Sequence, residues 1–97
     1  METYIILGNL TKEGATNVKE SPARIEAARK AAEAIGGRFV GWYLTMGRFD
    51  FVVIVEAPNA QAAAGVLLAY GAQGTGRTET LRAFTEDEFR KIVAGLP

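Results

Sequence analysis

Ninety-seven residues, 48% of them hydrophobic, suffice for one small domain spanning 1–97. Lysine plus arginine and aspartate plus glutamate number 11 each, so the basic surplus of a nucleic-acid or anionic-membrane binder is missing and neither partner is expected. Cysteine and histidine are both absent, which excludes disulfides, thiolate nucleophiles, zinc and iron–sulfur sites, a proximal haem histidine and a Ser–His–Asp relay. No metal or cofactor is therefore expected.

The chain opens Met1-Glu2, and the apolar run that follows is too short for a signal peptide or a membrane helix. The expected location is the cytoplasm. That run, Thr3-Tyr4-Ile5-Ile6-Leu7, is apolar on both faces and closed by Gly8-Asn9, the pattern of a central strand. Leu10 to Glu20 reads as a polar loop bent at Gly14. Ser21-Pro22 then starts a helix, serine as N-cap and proline in the first turn. Its buried stripe is Ile25, Ala28, Ala32 and Ile35, and Gly36-Gly37 ends it.

Arg38 to Met46 reads as a second strand and Asp50 to Glu56 as a third, joined by a tight hairpin at Gly47-Arg48. Strict alternation along the second strand places Phe39, Tyr43 and Thr45 on one face and Val40, Trp42, Leu44 and Met46 on the other. Pro58-Asn59 opens a second helix with Ala63, Val66, Leu67 and Tyr70 inward, closed by Gly71. Arg77 to Ala83 is a fourth strand. A last helix starts at Thr85, with Glu88 as capping-box partner and Phe84 placed to staple onto Phe89.

Strand–helix–strand–strand–helix–strand with right-handed crossovers gives a ferredoxin-like α+β fold. The antiparallel sheet runs 4-1-3-2 with both long helices on one face and the C-terminal helix as an addition. Neither face of the second strand is polar, and it lies at an edge. Exposed apolar edges template association, so a homodimer or higher homo-oligomer is expected, with the terminal helix as the other possible cover.

The segment Tyr43-Leu44-Thr45-Met46-Gly47-Arg48-Phe49-Asp50 resembles the GYD domain family. The likeness extends through Thr3-Tyr4-Ile5, Ser21-Pro22, Gly36-Gly37, Glu56-Ala57-Pro58, Arg77-Thr78-Glu79-Thr80 and Ala83-Phe84-Thr85. It implies the ferredoxin-like, dimeric α+β barrel type of fold and leaves the activity open. Phe49 stands where the family name has tyrosine, so a phenol there is not expected to matter. The same hairpin is locally similar to effector-binding domains of Lrp-type regulators, which pair through their sheets and hold small molecules between subunits.

Candidate ligand-binding residues are Tyr43, Thr45, Asp50, Arg77, Thr78 and Thr80. Arg77 and Glu79 fall on one face of the fourth strand, and Thr78, Thr80 and Arg82 on the other. They read equally as donors to a carboxylate or phosphate or as a solvated, charge-protected edge. Asp50 reads as a turn-fixing carboxylate or as a base with a raised pKa. Tyr43 offers a hydroxyl handle. Lys19 and Arg24 flank the first long helix's N-terminus, as anion ligands or as ordinary surface charge. The expected function is a small-molecule-binding, regulatory or assembly module, its ligand on the open sheet face or between subunits. The alternative is a cofactor-independent isomerase or monooxygenase-like enzyme with Asp50 or Glu79 as base and Tyr43 or Arg77 stabilising negative charge. Pure packing into a larger shell is a third reading.

Overall fold

The computed structural model describes residues 1–97. Strand β1 (Glu2–Leu10) is followed by a short helix α1 (Lys12–Thr16), a 3₁₀ turn (Val18–Glu20) and helix α2 (Ser21–Ala34). Strands β2 (Arg38–Leu44) and β3 (Phe51–Ala57), helix α3 (Ala60–Ala72), strand β4 (Gly76–Ala83) and helix α4 (Glu86–Ala94) complete the chain. The four strands pair antiparallel in the order β2-β3-β1-β4. This is the ferredoxin-like α+β arrangement expected, with the apolar β1 inside and the aromatic β2 at an edge.

Alternation of side chains divides the sheet. On one face Tyr4 and Ile6 of β1 and Phe51, Val53 and Ala57 of β3 are buried. Ala32, Ile25 and Ala28 of α2 pack there, as do Ala63, Leu67 and Tyr70 of α3. Phe51 anchors this layer: its ring stacks on Trp42 at 5.7 Å and meets Tyr70 edge-on at 6.5 Å, the offset and T-shaped geometries that aromatic quadrupoles favour. Gly8 makes the anchor possible, because a Cβ there would overlap the Phe51 ring.

Several local expectations are corrected. Leu10–Glu20 is not a loop, since the Thr11 hydroxyl accepts the Gly14 N–H and caps α1. Gly14 is buried against the backbone carbonyl of Thr75, and an added Cβ would run into that oxygen. It is a contact point, not a bend. Ser21 is not the cap of α2, because the preceding 3₁₀ turn already delivers helical backbone at Glu20. Its hydroxyl instead accepts from Arg24 at 3.1 Å.

The β2–β3 connection is longer than a two-residue turn. Thr45 N–H donates to Asp50 O at 2.9 Å and the Thr45 hydroxyl to Phe49 O at 2.6 Å. These bonds close residues 45–50 on themselves, with Gly47 at φ +108°, so the strands stop at Leu44 and Phe51. In β2 the register slips between Phe39 and Gly41, leaving Val40 as a bulge residue. Phe39 and Trp42 therefore share the helix-covered face, Phe39 opposite Val55 and Trp42 opposite Val53. Strict alternation had put them apart. The last turn of α3 runs past Gly71 to Ala72, and a positive φ comes only at Gly74.

Helix α4 follows the sequence closely. Thr85 Oγ1 accepts the Glu88 N–H at 3.2 Å and Glu88 Oε1 accepts the Thr85 N–H at 2.8 Å, a complete capping box. Yet none of its residues is buried and it packs substantially on neither the sheet nor the other helices. Phe84 and Phe89 both stay exposed, so the expected staple covers neither ring. The molecule is drawn out to 52 × 31 × 18 Å, with a radius of gyration of 14.6 Å where a compact chain of this length gives roughly 12.5 Å. Within one chain, α4 does not cover the second face of the sheet.

Candidate functional site

That second face is built from the alternate residues of every strand. Its rows follow from the pairing register. Tyr43 lies beside Val52, Val52 beside Leu7, and Leu7 beside Glu79. The next row runs Gly41, Ile54, Ile5, Leu81, and the third Arg38, Glu56, Thr3, Ala83. The centre is thus apolar (Ile5, Leu7, Val52, Ile54 and Leu81) and the rim polar. Leu81 is 45% exposed and Tyr43 56%. The Tyr43 ring folds back over Gly41, within 3.2–3.4 Å of where a Cβ would be, which widens the apolar surface towards the β2 edge. At the far corner Arg38 Nε meets Glu56 Oε1 at 2.9 Å.

One end of this face opens into a groove lined by Leu7, Asn9, Lys12, Phe49, Arg77 and Glu79, with Thr78 beside them. Three of the predicted site residues, Arg77, Thr78 and Glu79, are brought together here. The sequence reading missed Lys12, which α1 carries to the groove, and Phe49, whose ring closes it. Both lay in segments read as loop or turn, so no periodicity flagged them. Arg77, Lys12 and Glu79 form no ion pair with another side chain, which leaves two cations and one carboxylate facing the groove. Such a balance favours an anionic group near Arg77 and Lys12.

The other predicted residues go elsewhere. Asp50 Oδ2 accepts the Leu10 N–H at 2.8 Å, and the Asp50 N–H donates to Gly8 O at 2.8 Å. Its carboxylate thus ties the hairpin to the end of β1. The Thr45 hydroxyl is spent inside the turn. Thr80 lies opposite Ile6, in register with the helix-covered face. Tyr43 is on the open face but on the opposite edge strand from Arg77. The three strand spacings between them come to roughly 14 Å. One chain does not gather Tyr43, Asp50 and Arg77 around a single ligand.

Two tyrosines, Tyr4 of β1 and Tyr70 of α3, have phenols shifted above their ordinary value. Tyr4 donates its hydroxyl proton to Glu2 Oε1, and this bond, ahead of burial and the Glu2 charge, raises the phenol's pKa against the opposing pull of Arg82. Burial raises Tyr70, partly offset by the neighbouring Thr75 hydroxyl and the Arg24 charge. Neither faces the groove as an acid or base near neutral pH. No group of acidic side chains is disposed to hold a metal ion, and no helix is long and apolar enough to cross a membrane.

The family model of the GYD domain matches residues 4–93. The chain belongs to the GYD domain family. This GYD domain is 37% identical over 84 residues to a Thermus thermophilus protein named "glutamine synthetase and cystathionine beta-lyase binding protein", a match covering 86% of this chain and 88% of that one. It also superposes on a crystal structure of a protein from Thermus thermophilus with a TM-score of 0.54 at 23% identity, covering 88% of this chain and 95% of the other. That likeness shows the shared fold.

Proposed function

We propose that this GYD domain is a binding module that acts as a homo-oligomer. In this reading a second copy covers the apolar centre of the open sheet face, and the groove at Arg77 and Lys12 takes a small anionic molecule or an acidic group of a protein partner. The observation that carries it is the pair of unpartnered apolar surfaces on one small chain. The sheet face presents Ile5, Leu7, Val52, Ile54 and Leu81, while α4 presents Phe89, Ile92 and Val93 at helical spacing, with Leu96 just past its end; Phe89 is 59% exposed and Leu96 64%. Apolar faces of this kind on a small domain mark association surfaces. Its setting is the cytoplasm.

The Thermus relative's name supports a regulatory role exercised on other proteins. Docking on a metabolic enzyme is the form of that role we favour. The enzyme alternative has weaker support: the Asp50 carboxylate is engaged by the Leu10 N–H at the end of β1, and Glu79 alone remains as a base candidate in the groove.

Native mass spectrometry of the full chain tests the proposal. The expected spectrum is a dimer or larger assembly that takes up small carboxylates or phosphates. A lone chain at micromolar concentration that binds neither metabolites nor protein partners would overturn it.

A further inference from the structure

The helix-covered side of the sheet holds a second feature, separate from the open face. Between α2, α3 and the strands lies a partly open cavity of about 100 Å³ whose lining is predominantly apolar. It exists because the two helices present small residues inward. Ala28 and Ala32 of α2 and Ala63 of α3 leave space that Ile25 and Leu67 do not fill, and no large side chain is completely buried. Native interiors are packed nearly without voids, so a space of this size under two helices is a vacancy with a shape. Apolar cavities of about 150 Å³ admit benzene. The space here is about two-thirds of that and open at its rim, which sets a single ring as the largest group it suits. Phe51 and Tyr70, already edge-to-face with each other, furnish part of the wall.

The polar part of the lining is not random. Ser21 and Arg24 line the cavity from the first turn of α2. Arg24 is mostly covered, its side chain 19% exposed. Nη2 donates to Asn17 O at 3.2 Å and to Ser21 Oγ at 3.1 Å, which holds the guanidinium in place. Nε and Nη1 have no hydrogen-bond acceptor in the chain, and the nearest carboxylate, exposed Glu20, is 3.7 Å from Nη1. Three of the five guanidinium donors therefore make no hydrogen bond within the chain, and the ion pair of Nη1 with Glu20 is to an exposed partner that a ligand carboxylate can displace. The one carboxylate on the lining, Glu56, is engaged by Arg38 at 2.9 Å. Arg24 and Tyr70 both line the cavity, and the Arg24 charge acts on the Tyr70 phenol.

We propose that this cavity binds a small aromatic carboxylate, its ring between the helices and the sheet and its carboxylate on Arg24. The ring is held by apolar burial and by the Phe51 and Tyr70 faces. The acid is held by charge-assisted hydrogen bonds from an already positioned guanidinium. The cavity lies on the helix-covered side of the sheet, away from the proposed oligomer surface. It shares Leu10 and Thr78 with the lining of the groove, whereas Ile25, Ala28 and Leu67 line the cavity alone and tell the two sites apart.

The test is a titration of the full chain with phenylacetate, followed by methyl-detected NMR. Saturable shifts at Ile25, Ala28 and Leu67 are expected, with phenylacetamide, the uncharged analogue, binding about tenfold or more weakly. Arg24→Gln removes the preference for the acid and leaves toluene binding intact. Ala28→Leu fills the cavity and abolishes binding of all three probes, the chain remaining folded. Absent shifts at millimolar phenylacetate overturn the site, as do shifts confined to Leu7, Ile54 and Leu81. Equal affinity for phenylacetate and phenylacetamide in the unaltered protein overturns the class of ligand, whatever becomes of the Arg24 variant.

Discussion

Asp50 and Gly8 show how single residues join the hairpin to the centre of the sheet. The Asp50 carboxylate reaches across to the Leu10 N–H, a bond from a charged acceptor to a half-buried backbone donor. Asp50→Ala leaves that donor without its partner, and a loss of about 1–3 kcal/mol in urea denaturation is expected, with any oligomer retained. An unchanged midpoint would show that water replaces the carboxylate at no cost. Gly8 is the floor on which Phe51 rests. Gly8→Ala drives a methyl into that ring, and overpacking of this kind costs about 1–3 kcal/mol, read as a melting temperature lowered by several degrees. The role of Asp50 was half legible. Aspartate beside a glycine turn signals a structural carboxylate, but its acceptor bond runs to a residue forty positions earlier.

At the scale of the element, α4 contrasts with α2. Every local signal for α4 stands in the sequence: Thr85 at the cap, Glu88 three residues on, and an apolar stripe behind them. Thr85→Ala is expected to lower protection of the amides in residues 86–94 against hydrogen exchange and to leave the sheet amides unchanged, because α4 shares little packing with them. The cap also sets a pH dependence. The Thr85 backbone N–H holds the Glu88 carboxyl below its ordinary value. A depressed carboxylate stabilises the folded helix above its unfolded pKa of about 4.3 and loses that contribution as pH falls through the lower folded value. Helicity of α4 should therefore decline on acidification below about pH 4, earlier than the sheet. Circular dichroism alongside sheet-amide exchange checks the order. Helix α2 begins differently, because the 3₁₀ turn before it takes over the cap and frees Ser21 to hold Arg24. The bulge at Val40 was likewise invisible, since Phe39-Val40-Gly41-Trp42 satisfies strict alternation as text and breaks it only when paired with β3.

For the whole molecule, the thin core decides the outlook. Only 11 of the 97 residues are buried, and chains this small hide a modest share of their surface when folded alone. A second copy over the open face would add burial where it is most lacking. Ile54→Arg sets a charge in the middle of that face. It should lower the mass seen in light scattering while the circular dichroism of the chain persists. An unaltered assembly would place the contact elsewhere, with the stripe of α4 as the next surface to alter.

Order and kind of the four strands and three longer helices, the central place of β1, the capped last helix and the surplus of apolar sheet were written in local periodicity and turn chemistry, whereas α1 and the 3₁₀ turn were not. Periodicity and turn chemistry depend on near neighbours in the chain. Which residues meet did not follow from that. Arg77, Thr78 and Glu79 gain Lys12 and Phe49 as company, Phe39 and Trp42 come onto one face, and α4 is left without a bed. Each of these outcomes depends on strand register and on contacts between residues distant along the chain, where one bulge moves the side chains beyond it by a full face of the sheet.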